Sequence, residues 1–216
     1  MQPIEIKKAV EERRKDRLPY LYYKEKLADL DPRDIAQRTG CPYNPHDDKV
    51  GEFSVNLMNR VYRVTYPDGI FYLEEEKVED FKTMTMILRY FINAKGMRPT
   101  GKTIAYRDVQ GGDHYYGSFE GRCLKRFAFT FSHNTAGLEK AMDKLKAEKL
   151  ELGDFSYRFR FLNQIYLTVI LWVADEEFPP EAQILFDENV PSAFDAEDMA
   201  VMGDIFIPIL KELSKD

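Results

Sequence analysis

Cysteine is nearly absent from this chain: 216 residues contain two, Cys41 and Cys123, and no C-x-x-C pair. That excludes a disulfide framework, and it excludes a thiolate-rich zinc or iron–sulfur centre assembled from this chain alone; a reducing compartment fits. Long apolar runs are missing as well. The longest, Ile165 to Ala174, falls far short of the ~20 residues needed to span a bilayer. The start, Met1-Gln-Pro-Ile-Glu-Ile-Lys-Lys, lacks an apolar signal core. The expectation is a cytoplasmic protein with no membrane partner.

A broad basic surface is the third absence. The formal net charge is −6, and it is unevenly placed: residues 1–174 carry 29 basic and 25 acidic side chains, residues 175–216 carry 2 and 12. An acidic final segment repels phosphate backbones, and a near-neutral remainder offers them no footprint, so nucleic acid is not an expected partner. The cluster Lys7, Lys8, Arg13, Arg14, Lys15 and Arg17 is interleaved with Glu11, Glu12 and Asp16, which reads as a solvated helix face.

What is present is core material. Hydrophobic residues make up 44% and aromatics 13%, enough for one well-packed domain over 1–216, with 1–30 as a helical N-terminal extension. Ile6, Ala9 and Val10 form one stripe of that extension and Leu18, Leu21, Tyr22 and Leu27 another, with Pro19 interrupting or kinking the helix. Asp31-Pro32 predicts a helix start and Gly40 its stop. Between Val50 and Glu74 the pattern changes to alternation, and Pro67-Asp68-Gly69 predicts a turn within an antiparallel meander. Phe81, Met84, Ile87, Leu88, Phe91 and Ile92 recur at helical spacing, and Lys95-Gly96 reads as the C-terminal signature of that helix. Helices are expected near 114–131 and 137–149. Strands are expected over 155–162, 165–173 and 182–187, the second of them central. Asp195 should cap a closing helix, Ala196 to Leu213, kinked at Pro208. The fold class is α+β: a mainly antiparallel sheet of about five to seven strands with helices packed against it.

Three constellations could carry function. Gly96-Met-Arg-Pro-Thr-Gly101-Lys102-Thr103 matches the phosphate-loop pattern G-x-x-x-x-G-K-[ST], and a P-loop nucleotide binder is one reading. Its surroundings oppose it: a helix precedes Gly96 where a strand is required, a β-like piece follows Thr103 where a helix is required, and Pro99 removes one N–H from the cradle. A helix stop followed by a connector accounts for the same letters.

The second is Gly111-Gly112-Asp113-His114-Tyr115-Tyr116. His114 could act as an acid/base oriented by Asp113, with Arg107, Tyr115, Tyr116, Arg122 and Trp172 lining a ligand pocket. Alternatively, Asp113 caps a helix whose tyrosines pack inward. The third is the carboxylate group Asp175, Glu176, Glu177 and Asp187, which could hold a hard cation or do acid/base work across a hairpin; ion pairing with Arg158 and Arg160 is the competing account. His46 and His133 share no ligand spacing, and both cysteines read as packed side chains. The cofactor is left open.

Several of these stretches resemble a known family. Leu88-Arg-Tyr-Phe-Ile-Asn-Ala-Lys-Gly96, Thr100-Gly101, Gly111-Gly112 with Tyr116, Phe119 and Arg122, Trp172 to Pro180, Ile184-Leu-Phe-Asp187 and Glu197-Asp198 are similar to an uncharacterised bacterial and archaeal family whose members run to about 200 residues. The resemblance covers the chain from about Leu27 onward. The family is common in anaerobes, and some members carry an N-terminal four-cysteine iron–sulfur domain, so the resemblance implies an accessory role near corrinoid or iron–sulfur chemistry. This chain lacks the cysteine cluster of the fused members. In the family pattern Thr-Gly at 100–101 recurs without Lys102-Thr103, which again sets the phosphate-loop letters aside. No catalytic residue is carried over. The competing functions are a non-catalytic ligand-binding or accessory module, with a small molecule or an iron–sulfur or corrinoid protein as partner, a small hydrolase or transferase, and a nucleotide binder.

Overall fold

A computed structural model describes residues 3–215, with side-chain surroundings from residue 15 onward; the Ile6, Ala9 and Val10 stripe and the Lys7 to Arg14 part of the basic cluster lie outside the described side chains. The chain forms two compact units, residues 1–55 with 60–96 and residues 56–59 with 97–216. The α+β class and the antiparallel pairing hold. The strands divide into two five-stranded sheets, one built around 51–66 and one around 155–187.

In the first unit, α1 (Pro3–Leu27) runs without a break through Pro19. Among its described side chains Leu27 and Tyr20 are the buried ones, and the Tyr20 hydroxyl donates to the Gly69 carbonyl at 3.0 Å. Leu18, Leu21 and Tyr22, expected on the buried stripe, are exposed. Burial follows Tyr20 and Leu27, one seven-residue step on a single helix face. Next, α2 (Pro32–Thr39) starts where Asp31 accepts from the Arg33 N–H and stops at Gly40. β1 (Tyr43–Pro45), β2 (Gly51–Leu57), β3 (Arg60–Tyr66), β4 (Phe71–Leu73) and β5 (Glu76–Lys77) form a sheet in sequence order. Phe53, Val55, Val64 and Phe71 are fully buried, and Phe53 lies 4.6 Å from the ring of Phe91 on α3 (Phe81–Asn93).

The end of α3 differs from the sequence expectation. The helix stops at Asn93, and Gly96 reaches the left-handed region (φ 77°) only beyond its C-cap, Ala94. Arg38 of α2 supplies the cation: its guanidinium donates to the carbonyls of Ala94 and, at 3.3 Å, Phe91. A helix leaves its last carbonyls without partners, and any correctly placed donor can satisfy them. A partner 53 residues away in the chain is invisible to local pattern, which offers only Lys95.

In the second unit, β6 (Thr103–Ala105), α4 (Gly112–Phe119), α5 (Arg126–Phe131), α6 (Thr135–Lys144), β7 (Glu148–Lys149), β8 (Phe155–Leu162), β9 (Ile165–Trp172), β10 (Glu181–Asp187) and α7 (Ala196–Leu213) follow in order. The sheet order is β6-β10-β9-β8-β7, all antiparallel, with β9 central as expected. Register places Tyr157, Val169 and Ile184 on one face with Phe159, Leu167 and Phe186. That face packs on the helices: Phe159 lies 5.7 Å from Phe206 of α7, and Phe186 lies 6.1 Å from Phe119 of α4. Aromatic pairs at such distances add to the apolar burial they accompany. Asp195 and Asp198 form a capping box at the start of α7, and the helix continues through Pro208 to Leu213.

The Arg38 cap yields a test. Charge-assisted hydrogen bonds contribute about 1.5–3 kcal/mol, so Arg38→Ala should lower the unfolding free energy by roughly that amount in urea titration. Lys95→Ala should stay within about 0.5 kcal/mol of wild type.

Candidate functional site

Between the glycine pair and the end of α5 the chain is one continuous helical segment, interrupted by a π-helical stretch, Glu120–Lys125. A π turn inserts extra backbone and re-aims side chains, and such stretches recur at functional sites. Here Cys123 points inward and Leu124 and Lys125 outward. Cys123 donates to the Ala200 carbonyl at 3.2 Å, and a Cβ built at Gly203 of α7 would lie 2.4 Å from its sulfur. Only glycine leaves room for that approach. The same turn brings residues five apart together: Lys125 Nζ lies 3.2 Å from Glu120 Oε2.

Outward, the segment lines an open cleft of about 330 Å³. Tyr116, Glu120, Leu124 and Phe129 form one wall; Pro179, Pro180, Glu181 and Ala182, on the way into β10, form the other. The volume suits a small ligand or one anchoring side chain. Arg107 sits over the Tyr116 ring, 3.7 Å from its centroid, a cation–π contact that fixes one face of the ring. Trp172 is outside the lining but directly opposite Glu181 across the β9–β10 pair.

The sequence-derived candidates therefore separate. Tyr116 and Arg107 come together at the cleft. Arg122 turns elsewhere, to Asp204, which also accepts from Arg126 at 3.2 Å; the Asp204 carboxylate raises the Arg122 pKa. Tyr115 is exposed, with the His114 ring edge-on to it at 5.1 Å. Asp113 and His114 are exposed on the first turn of α4, and among the described residues His114 forms no hydrogen bond or ion pair. The glycines before them serve the backbone: Gly111 has φ 81°, and a Cβ at Gly112 would sit 2.0 Å from the Tyr106 carbonyl oxygen. The chain turns back on itself there, which needs a residue without a side chain.

The carboxylates separate too. Asp175 accepts from the Glu177 and Phe178 N–H groups at 2.8 and 2.7 Å, closing its own turn, and these bonds lower its pKa. Asp187 lies at the far end of β10, a distance of roughly 20 Å at the rise of an extended strand. No group of three His, Cys, Asp or Glu among the described residues could hold a metal ion.

Asp187 also answers the phosphate-loop question. Its side chain is fully buried. Oδ1 accepts from the N–H groups of Thr100 (3.0 Å) and Asn189 (3.3 Å); Oδ2 accepts from Gly101 N–H (2.8 Å) and from Arg158 (3.3 Å). The loop does present consecutive N–H groups to an anion, and the anion is the protein's own carboxylate. With α3 before it and β6 after it, the strand–loop–helix context is absent. Arg158 thus pairs with Asp187, and at 3.8 Å with Glu148, while Arg160 donates to Asn59.

The site that emerges is an open, largely apolar cleft on an α+β protein, with the Glu120–Lys125 ion pair in its lining. The chain matches the domain of unknown function DUF3786 over residues 31–208 and belongs to that family. This is the uncharacterised family that the stretches from Leu88 to Asp198 resemble. No curated protein and no solved structure matches it.

The role of Asp187 can be measured. Removing one partner of a buried charged pair costs about 3–5 kcal/mol; Asp187→Ala should lose that much stability. Lys102→Ala should change it by less than about 0.5 kcal/mol, and magnesium-ATP should leave the unfolding midpoint of the wild type unmoved.

The thiols supply a pH test. Burial raises both Cys41 and Cys123 from 9.0 to about 12. Below the unfolded value both states keep the proton; as pH rises from 9 towards 12 the unfolded chain loses protons that the folded chain holds, so stability falls. At mildly alkaline pH a thiol reagent should find no cysteine in the native protein and both after denaturation.

Proposed function

We propose that the protein is a non-catalytic binding or accessory module whose ligand seats in the cleft between Tyr116, Leu124 and Phe129 on one side and Pro179 to Ala182 on the other. One observation carries this reading: the cleft joins apolar and ring surfaces with a few polar groups at the rim, the composition of binding sites. Two of the groups named from the sequence for a hydrolase or transferase are outside the lining: His114 is exposed on α4, and Asp187 is enclosed by its own partners.

The ligand is a small molecule, or a side chain of a protein partner from corrinoid or iron–sulfur chemistry as the family resemblance implies. A cytoplasmic setting fits the sparse cysteines and the absence, among the described residues, of any helix long and apolar enough to cross a membrane. The acidic character of residues 175–216 argues against nucleic acid as a partner.

A fragment screen by saturation-transfer NMR tests the reading. Hits on the wild type should compete with one another, and Leu124→Asp, which places a charge in the apolar wall, should weaken them by about tenfold, equivalent to ~1.4 kcal/mol. Hits indifferent to Leu124→Asp would place binding elsewhere and overturn the assignment.

A further inference from the structure

We propose that the natural occupant of the cleft is a basic polypeptide segment of another protein, anchored by an apolar side chain and flanked by lysine or arginine. This deepens the assignment of the cleft as a binding site and rests on it.

The apolar surface does not end at the cleft wall. Phe129, which lines it, is 59% exposed, and Phe178, next to Pro179, is 65% exposed. A small molecule within about 330 Å³ would leave much of both rings in water, whereas an extended segment could lie across them with one side chain inserted. Aromatic anchors beside a pocket are the groups on which polypeptide recognition concentrates its energy.

Charge selects the kind of segment. The arm from Asp175 to Glu181 holds Asp175, Glu176, Glu177 and Glu181 and no basic residue. Asp175 is kept ionised by the N–H groups of Glu177 and Phe178. On the opposite wall the cation in the lining is Lys125, tied to Glu120 at 3.2 Å, so that pair adds no net charge; Arg107 is a second cation on that side, stacked on the Tyr116 ring. Glu181 lines the cleft, and the arm that leads to it through the exposed Phe178 is anionic. A neutral or acidic segment would bring its own charge against that arm, while a basic one would be steered to it and held in register. Two rigid prolines, Pro179 and Pro180, lie within the receiving arm, so little backbone ordering is needed on binding.

Fluorescence anisotropy with short labelled peptides tests the idea on the full chain. Three peptides share a Leu-Phe-Leu core and are flanked by lysines, by serines or by glutamates. The lysine-flanked peptide should bind best and weaken with salt. Phe129→Ala and the double variant Glu177→Lys/Glu181→Lys should each reduce its affinity by about tenfold, with native circular dichroism retained. Equal affinity for all three peptides, or no binding by any, would overturn the proposal. Fragment hits that still respond to Leu124→Asp would then leave the cleft itself standing as a small-molecule site. Self-association of the wild type in sedimentation velocity, abolished by Phe129→Ala, would make a second copy the occupant and overturn it as well.

Discussion

The second unit depends on one buried carboxylate. Asp187 ends β10, and through its two oxygens it holds the N–H groups of Thr100 and Gly101 in the preceding loop, that of Asn189 in the following one, and the guanidinium of Arg158 on β8. A carboxylate removed from water needs all of its acceptor positions filled, and here the backbone and Arg158 fill them. The loop entering β6 therefore cannot leave β10, and the edge strand is fixed in register. Asn189 extends the arrangement by donating to the carbonyls of Met97 and Gln164. Anion, loop and strand end form one electrostatic unit.

The cleft arises from a different constraint, close packing against α7. Cys123 can approach α7 only because position 203 is glycine, and the π-helical stretch from Glu120 to Lys125 provides the additional backbone that lets Cys123 turn inward while Leu124 and Lys125 remain outside. The apolar wall of the cleft is thus the outer side of a helix whose inner side is committed to the core. Its opposite wall is set by the β9–β10 hairpin, where register places Glu181 across from Trp172 and Ala182 across from Leu171. Binding surface and core packing share the same short stretch of chain, so a substitution at Cys123 would alter both.

Much of the secondary structure was legible because it rests on local signals. Asp31, Asp195 and Gly40 mark helix ends by side-chain or backbone geometry that involves near neighbours only, and the apolar run of β9 reflects burial on both faces of a central strand. The cap of α3 was not legible, because Arg38 reaches it across the fold. Nor was the burial of α1: of the stripe Leu18, Leu21, Tyr22 and Leu27 packing buries Leu27 alone, and it buries Tyr20, which lay outside that stripe. At the site, Tyr116 and Arg107 could be named from sequence, but Leu124, Phe129, Pro179 and Glu181 could not. They are ordinary residues made neighbours by a π turn that leaves no mark in local pattern.

The phosphate-loop letters show the same division. The chain by itself determined that residues 96–103 form a connector rich in turn-forming residues, because helix periodicity ends before them and β propensity resumes after them. It determined the α+β class, the positions of most elements and the acidic character of residues 175–216, all of which depend on residues close together in the chain. Tertiary structure alone decided which anion the loop would hold, and it chose Asp187, 86 residues beyond Gly101. It also decided that the carboxylates of the hairpin and of Asp187 lie at opposite ends of a strand, and that a cleft opens beside Tyr116. Proximity in space is set by long-range packing, and the chain carries no local record of it.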